Sequence, residues 1–135
     1  MIKYMLDTNI VIYVLKNKPL EVLDTFNRCA GQMRISSITL VELYHGAEKS
    51  EKTEYNTRRI EDFTSRLDVF EYGTKAASHY GSIRADLERK GTPIGINDLH
   101  IAGHARSEGF ILITNNTREF DRVNALRVEN WVEPK

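Results

Sequence analysis

Two runs, Ile2–Leu6 and Phe110–Thr114, constrain the fold more than any other feature of the chain. Each is apolar along nearly its whole length and too short for a helix. A strand with one wet face alternates apolar and polar residues, whereas a strand covered on both faces does not. Segments of helical periodicity lie between the two runs, so strands alternate with helices. That alternation predicts an α/β fold with a short parallel sheet flanked by helices. Both runs end in polar residues: Asp7, Thr8 and Asn9 follow the first, and Asn115 and Asn116 follow Thr114 at the end of the second. In open parallel sheets, sites form beyond the carboxyl ends of the strands.

The remaining elements follow from spacing. Asp7-Thr8-Asn9 is a helix start signal, and a helix is expected from about residue 9, although Ile10, Val11, Ile12 and Val14 have strand propensity. Pro19 and Gly31 bracket a helix carrying Leu20, Leu23, Phe26 and Ala30. A strand at Met33–Ser36 leads into a helix opened by Ser36 or Ser37. Ile60, Phe63 and Leu67 mark another helix, and Val69 and Phe70 a short strand. Ala76, Ala77, Tyr80, Ile83 and Leu87 form a helix that ends at Gly91. The loop "GTPIGIN" follows, then a helix from Asp98 to Glu108 stopped by Gly109. A helical turn at Arg118–Val123 and a last strand near Val128–Val132 complete the chain.

A length of 135 residues suits one domain, here 1–135. No stretch approaches the roughly 18 apolar residues of a membrane span. The N-terminus lacks the features of a signal peptide, so no membrane is expected. The single cysteine, Cys29, cannot form an internal disulfide and points to the cytoplasm. Its place near a helix end favours a small buried residue over a reactive thiol. Basic and acidic residues balance at 19 each, which argues against a protein held to nucleic acid by bulk charge alone.

Four acids share a position at an element boundary. Asp7 follows the first strand, Glu42 sits in the first turns of its helix, Asp98 opens a helix, and Glu119 lies just beyond the strand at 110–114. Backbone N–H groups and the helix dipole favour negative charge at such places. Any one of them alone is explained as a cap or a dipole partner. Glu42 fits that reading least, because its neighbours in "TLVEL" are mostly apolar and an unpaired buried carboxylate is costly. A metal ion would compensate it. Oxygen-only clusters select hard cations, Mg²⁺ or Mn²⁺, which act on phosphate esters.

Competing constellations are weaker. His100 and His104 in "HIAGH" have the spacing of two zinc ligands, but the Glu of H-E-x-x-H is missing and no third ligand is apparent. The chain contains no nucleophile elbow and no phosphate-binding loop of the G-x-x-x-x-G-K-[ST] type.

The segments "MLDTNIVIY", "SSITLVELYHGAEKS", "PIGINDLHIAGHAR" and "LITNNTREF" stand in the order and spacing of the PIN-domain nucleases. The chain resembles most the VapC toxins of bacterial type II VapBC toxin–antitoxin systems, of the enteric kind, from residue 2 to about 132. The resemblance implies a three-layer α/β sandwich around a short parallel sheet, with a Mg²⁺-dependent (or Mn²⁺-dependent) endoribonuclease site. By motif, Asp7 and Asp98 match direct metal ligands. Glu42 matches the acid of the "VEL" segment. Glu119 matches a fourth acidic position where many relatives carry Asp. Thr8, Asn9, Thr114 and Asn116 match supporting polar positions. Some relatives have another acid in place of Asn116, so one-metal and two-metal sites both stay open. The implied substrate is initiator tRNA, cut in the anticodon stem-loop. The implied partners are a second copy of the chain and a cognate VapB-type antitoxin, whose C-terminal segment covers the site and through which alone DNA is contacted.

Beyond the four acids, the chain carries four more bases than acids. An RNA substrate needs such a rim. Arg84, Arg89, Lys90, Arg106, Arg118 and Arg122 are the candidates. Two alternatives remain at this level: a non-catalytic module that uses an acidic pocket for binding, and a DNA- or flap-directed nuclease on the same fold.

Overall fold

A computed structural model describes residues 2–132. Its sheet has five parallel strands: β1 (Tyr4–Leu6), β2 (Met33–Ser36), β3 (Asp68–Phe70), β4 (Ile111–Ile113) and β5 (Val128–Glu129). The spatial order is β3-β2-β1-β4-β5. The helices are α1 (Thr8–Lys16), α2 (Leu20–Arg28), α3 (Ser37–Lys49), α4 (Thr53–Thr64), α5 (Thr74–Arg89), α6 (Ile96–Glu108) and the short α7 (Thr117–Phe120).

Alternation along the strands divides the core into two halves. On β1, Leu6 packs with Ile10, Val11 and Val14 of α1, Val22 and Phe26 of α2, Leu43 of α3, and Ile60 and Phe63 of α4. Met5 points the other way, onto Ile83 and Leu87 of α5, Leu99 and Ala102 of α6, and Phe120 of α7. Leu112 and Ile113 of β4 divide in the same manner. The molecule is therefore the three-layer sandwich expected, with α1–α4 on one face and α5–α7 on the other. Each fully buried aliphatic or aromatic side chain contributes about 1.5–3 kcal/mol.

The expected strands are present but shorter. Ile2 is 52% exposed and lies outside β1, and the last strand stops at Glu129 rather than Val132. The helix at Ile60 and Phe63 ends at Thr64, so Leu67 lies beyond it. The segment 8–16 is helical despite its β-branched residues, because Asp7 caps it: the carboxylate accepts from the Thr8 N–H at 2.8 Å. The helix bearing Asp98 begins two residues earlier than expected, capped at Gly95, so Asp98 lies in its first turn rather than at its opening. Gly109 ends that helix in the left-handed conformation, φ 71°, as its spacing predicts. The final helical turn spans 117–120 instead of 118–123.

The connections run outward from β1 to β2 and β3, then return to the other side of β1 for β4 and β5. The switch in direction falls between β1 and β4, and a crevice opens beyond their carboxyl ends. Asp7 and Thr114 are the first residues past those two strands.

Candidate active site

The crevice is built on polar contacts between elements far apart in sequence. Asp7 is only 5% exposed. Its Oδ1 accepts from the Thr8 N–H and its Oδ2 from the Thr114 hydroxyl, both at 2.8 Å. The Thr114 hydroxyl in turn accepts from the Asn116 N–H at 2.9 Å. The Asn116 amide donates to Glu119 Oε2 at 3.1 Å.

Glu42 is held from two sides. The Thr8 hydroxyl donates to its Oε1 at 2.7 Å, and the Asn97 amide to its Oε2 at 3.2 Å. The Thr39 hydroxyl lies 3.2 Å from that of Thr8. Thr8 thus serves Asp7 through its backbone and Glu42 through its side chain. Asn97 and Thr39 lie inside the quoted segments but were not read as site residues, because their roles arise only when α3 meets α6 and α1. Asn9, expected as a supporting residue, is exposed on α1 and makes no side-chain hydrogen bond among the described residues.

The four acids come together electrostatically. Burial pushes the Asp98 carboxyl up to about 7, helped by the charges of Asp7, Glu119 and Glu42 and by a hydrogen bond to Glu119. Burial also raises Asp7, with the charge of Glu42 adding to it and the bonds from Thr114 and Thr8 opposing it. Among the described residues, none of the four acids is ion-paired with Lys or Arg.

Among the described residues no three His, Cys, Asp or Glu side chains converge on one ion-sized point. The chemistry of the donors nevertheless fits a hard divalent cation: every donor is oxygen, two of the acids are raised by burial and mutual repulsion, and no cationic side chain neutralises them. Asp7 and Asp98 are the two acids whose ionisation burial opposes.

The other candidates resolve into packing. His104 is buried with Nδ1 2.7 Å from the Ser36 hydroxyl. His100 meets the Tyr72 hydroxyl at 2.9 Å and stacks on Tyr80. The two rings have separate partners and do not form a zinc site. Cys29 is the C-cap of α2, and burial raises its thiol, which weakens it as a nucleophile.

The basic rim also divides. Arg84 bonds the Tyr80 hydroxyl, Lys90 pairs with Asp86, and Arg122 donates to the Pro93 carbonyl. Arg106 donates to His79 Nδ1 and to the Asn124 carbonyl, joining α5 and α6 to the segment before β5. Arg89 and Arg118 are exposed and without a partner among the described residues.

A parallel five-stranded sheet with acids gathered at the switch point defines a class, and the sequence agrees: the PIN domain family matches residues 4–126, and the chain belongs to it. Within that family it stands among the VapC ribonucleases. It is 63% identical to Ribonuclease VapC2 of Haemophilus influenzae over 132 residues, 98% of this chain and all of that one. It is 57% identical to the tRNA(fMet)-specific endonuclease VapC of Shigella flexneri, covering 97% of this chain and 99% of the relative. The fold superposes on the crystal structure of DNA-bound VapBC from Salmonella typhimurium with a TM-score of 0.93 at 53% identity, covering 98% of this chain and 100% of that one. PIN-domain ribonucleases generally depend on a divalent metal. No helix among the described residues is long and apolar enough to cross a membrane.

Proposed function

We propose that this chain is the toxin of a type II toxin–antitoxin pair, a site-specific endoribonuclease that cuts initiator tRNA in its anticodon stem-loop and so stops translation. The observation that carries this reading is the gathering of Asp7, Glu42, Asp98 and Glu119 at the switch point with no Lys or Arg partner among the described residues. The names of the Haemophilus and Shigella relatives point the same way.

Asp7 and Asp98 would hold Mg²⁺ or Mn²⁺, with Glu42 and Glu119 in support. Bound there, the cation supplies positive charge against the scissile phosphate and activates water. Thr8 and Thr114 fix the Asp7 carboxylate, so that it is aimed before substrate arrives. Thr8 and Asn97 occupy both oxygens of Glu42, which suits a carboxylate that acts through water. Asn116 restrains Glu119.

An apolar groove of about 330 Å³ between α1, α3 and α4 runs up to Glu42, lined by Ile12, Leu15, Leu43, Ala47 and Ile60. It offers a seat for a segment of a VapB-type antitoxin. An Arg or Lys of that segment would pair with Asp7, Glu42 and Asp98 in place of the metal. The toxin works in the cytoplasm as one domain spanning 1–135, forms homodimers that assemble further with antitoxin, and meets DNA only through the antitoxin.

The test is cleavage of purified initiator tRNA by the purified chain. Cutting within the anticodon stem-loop, abolished by EDTA and restored by Mg²⁺ or Mn²⁺, supports the assignment. Intact tRNA under all these conditions refutes it. Expression alone should arrest growth, co-expression of the antitoxin should restore it, and the Asp7→Asn chain at equal level should be harmless.

A further inference from the structure

Helices α3 and α6 bring Glu42 and Asp98 to the same crevice, where the Asn97 amide, next to Asp98 in sequence, donates to Glu42. The same two helices are joined at a second place, away from the acids. His104, on α6, is 1% exposed, and nothing in the chemistry above uses it. Its Nδ1 lies 2.7 Å from the hydroxyl of Ser36. Ser36 ends β2 and caps α3, accepting from the Ile38 N–H at 3.1 Å.

The protons can be assigned. The Ser36 oxygen already accepts from Ile38, and its single hydrogen needs an acceptor. The imidazole Nδ1 is the one within reach, so His104 carries its proton on Nε2. A charged imidazole would have to donate to Ser36 and would leave the serine proton buried without a partner. Burial lowers the His104 pKa and favours the same neutral state. Tyr72 closes the joint: its ring packs edge-on to His104 at 5.5 Å, and its N–H donates to the Ser37 hydroxyl at 3.0 Å.

We propose that His104 is a positioning residue of the nuclease site: through Ser36 it locks the start of α3 against α6 and thereby sets the spacing of Glu42 from Asp98. The inference rests on the metal-dependent reading above. Groups hydrogen-bonded to metal ligands typically govern metal affinity by roughly 10- to 100-fold, and a joint that acts on Glu42 through the start of its helix belongs at the low end of that range.

The test compares His104→Leu, which removes the acceptor, with His104→Asn, whose Oδ1 stands where Nδ1 was. Each full-length protein is titrated with Mn²⁺ by calorimetry and melted without metal. Both variants lose imidazole packing and both should melt lower than the wild type. Mn²⁺ affinity should fall about tenfold in His104→Leu and recover to within about twofold of wild type in His104→Asn. Ser36→Ala covers the case in which His104→Leu fails to fold. It should lose the same affinity, while Ser36→Thr, which keeps a hydroxyl, should not. Equal Mn²⁺ affinity in wild type, His104→Leu and Ser36→Ala would overturn the inference and leave the nuclease reading standing. A wild-type chain with no Mn²⁺ binding that depends on Asp7 and Asp98 would overturn both.

Discussion

The Thr114 hydroxyl donates to Asp7 Oδ2 at 2.8 Å across 107 positions of sequence, and that bond joins the ends of the two central strands. The carboxylate is therefore oriented by neutral donors, with its charge left for a cation.

Asp7→Asn keeps the size of the side chain and one oxygen, so either the Thr114 bond or the Thr8 cap is retained and the fold should survive. The charge proposed to hold Mg²⁺ is gone. The cleavage rate at fixed Mg²⁺ should fall by more than the roughly 10- to 100-fold that loss of an outer partner costs. Single-turnover cleavage together with circular dichroism checks both halves; wild-type cleavage in a folded variant would remove Asp7 from the metal site.

Glu42→Gln should be nearly as damaging as Asp7→Asn. The new amide nitrogen would meet the Asn97 amide donor or the Thr8 hydroxyl proton, so one contact is lost as well as the charge. Glu119→Gln should be milder, since Asn116 can still donate to the remaining oxygen. Rates across a Mg²⁺ titration rank the two. The reverse order would move the outer acid elsewhere, with Asp121 the next candidate.

Acidity gives a third prediction. The folded Asp98 carboxyl titrates near 7, above its ordinary 3.8. Between those values the folded state holds a proton that the unfolded chain has released, so metal-free stability should fall as pH rises from about 4 to 7 and then level off. Metal binding displaces that proton, so Mn²⁺ affinity should rise over pH 6 to 8. Thermal melts and Mn²⁺ titrations at several pH values test both slopes. Asp98→Asn should flatten the first.

Two arginines of the basic rim should behave differently. Arg118→Ala should weaken RNA binding and reduce the dependence of log affinity on log salt by about 1. Arg106→Ala removes bonds to His79 and the Asn124 carbonyl, and should lower Tm while leaving that salt slope unchanged. Filter binding at several salt concentrations separates them.

Gly103 faces the backbone of α5. A Cβ there would stand 3.0 Å from the Tyr80 nitrogen and 3.1 Å from the Ala76 carbonyl oxygen. Gly103→Ala should therefore push α5 from α6 and cost about 1–3 kcal/mol, measured by denaturant unfolding. An unchanged midpoint would mean that the helices part freely.

The layers of this fold were legible because unbroken apolar runs and helical spacing report burial directly. Asp7, Asp98 and Glu119 were legible because each sits at or near a boundary between elements, and Glu42, the sixth residue of α3, because a carboxylate stands there among apolar neighbours. The contacts that orient them were not: Thr39 and Asn97 carry no signal of their own, Ser36 reads only as a helix cap, and their partners lie 31 to 68 residues away. Arg34 was missed for a related reason. Its alternation with Met33 and Ile35 reads as an outward face, yet it is 4% exposed, with its guanidinium over the rings of Phe70 and Phe110.

The position of β1 in the middle of the sheet has a consequence for the order of synthesis. The strand made first is completed by β4, one of the last, and Asp7 meets Thr114 only after that strand is in place. A chain cut short after Glu108 would carry Asp7, Glu42 and Asp98 but neither β4 nor Glu119. Cleavage should therefore begin only once the chain is nearly finished.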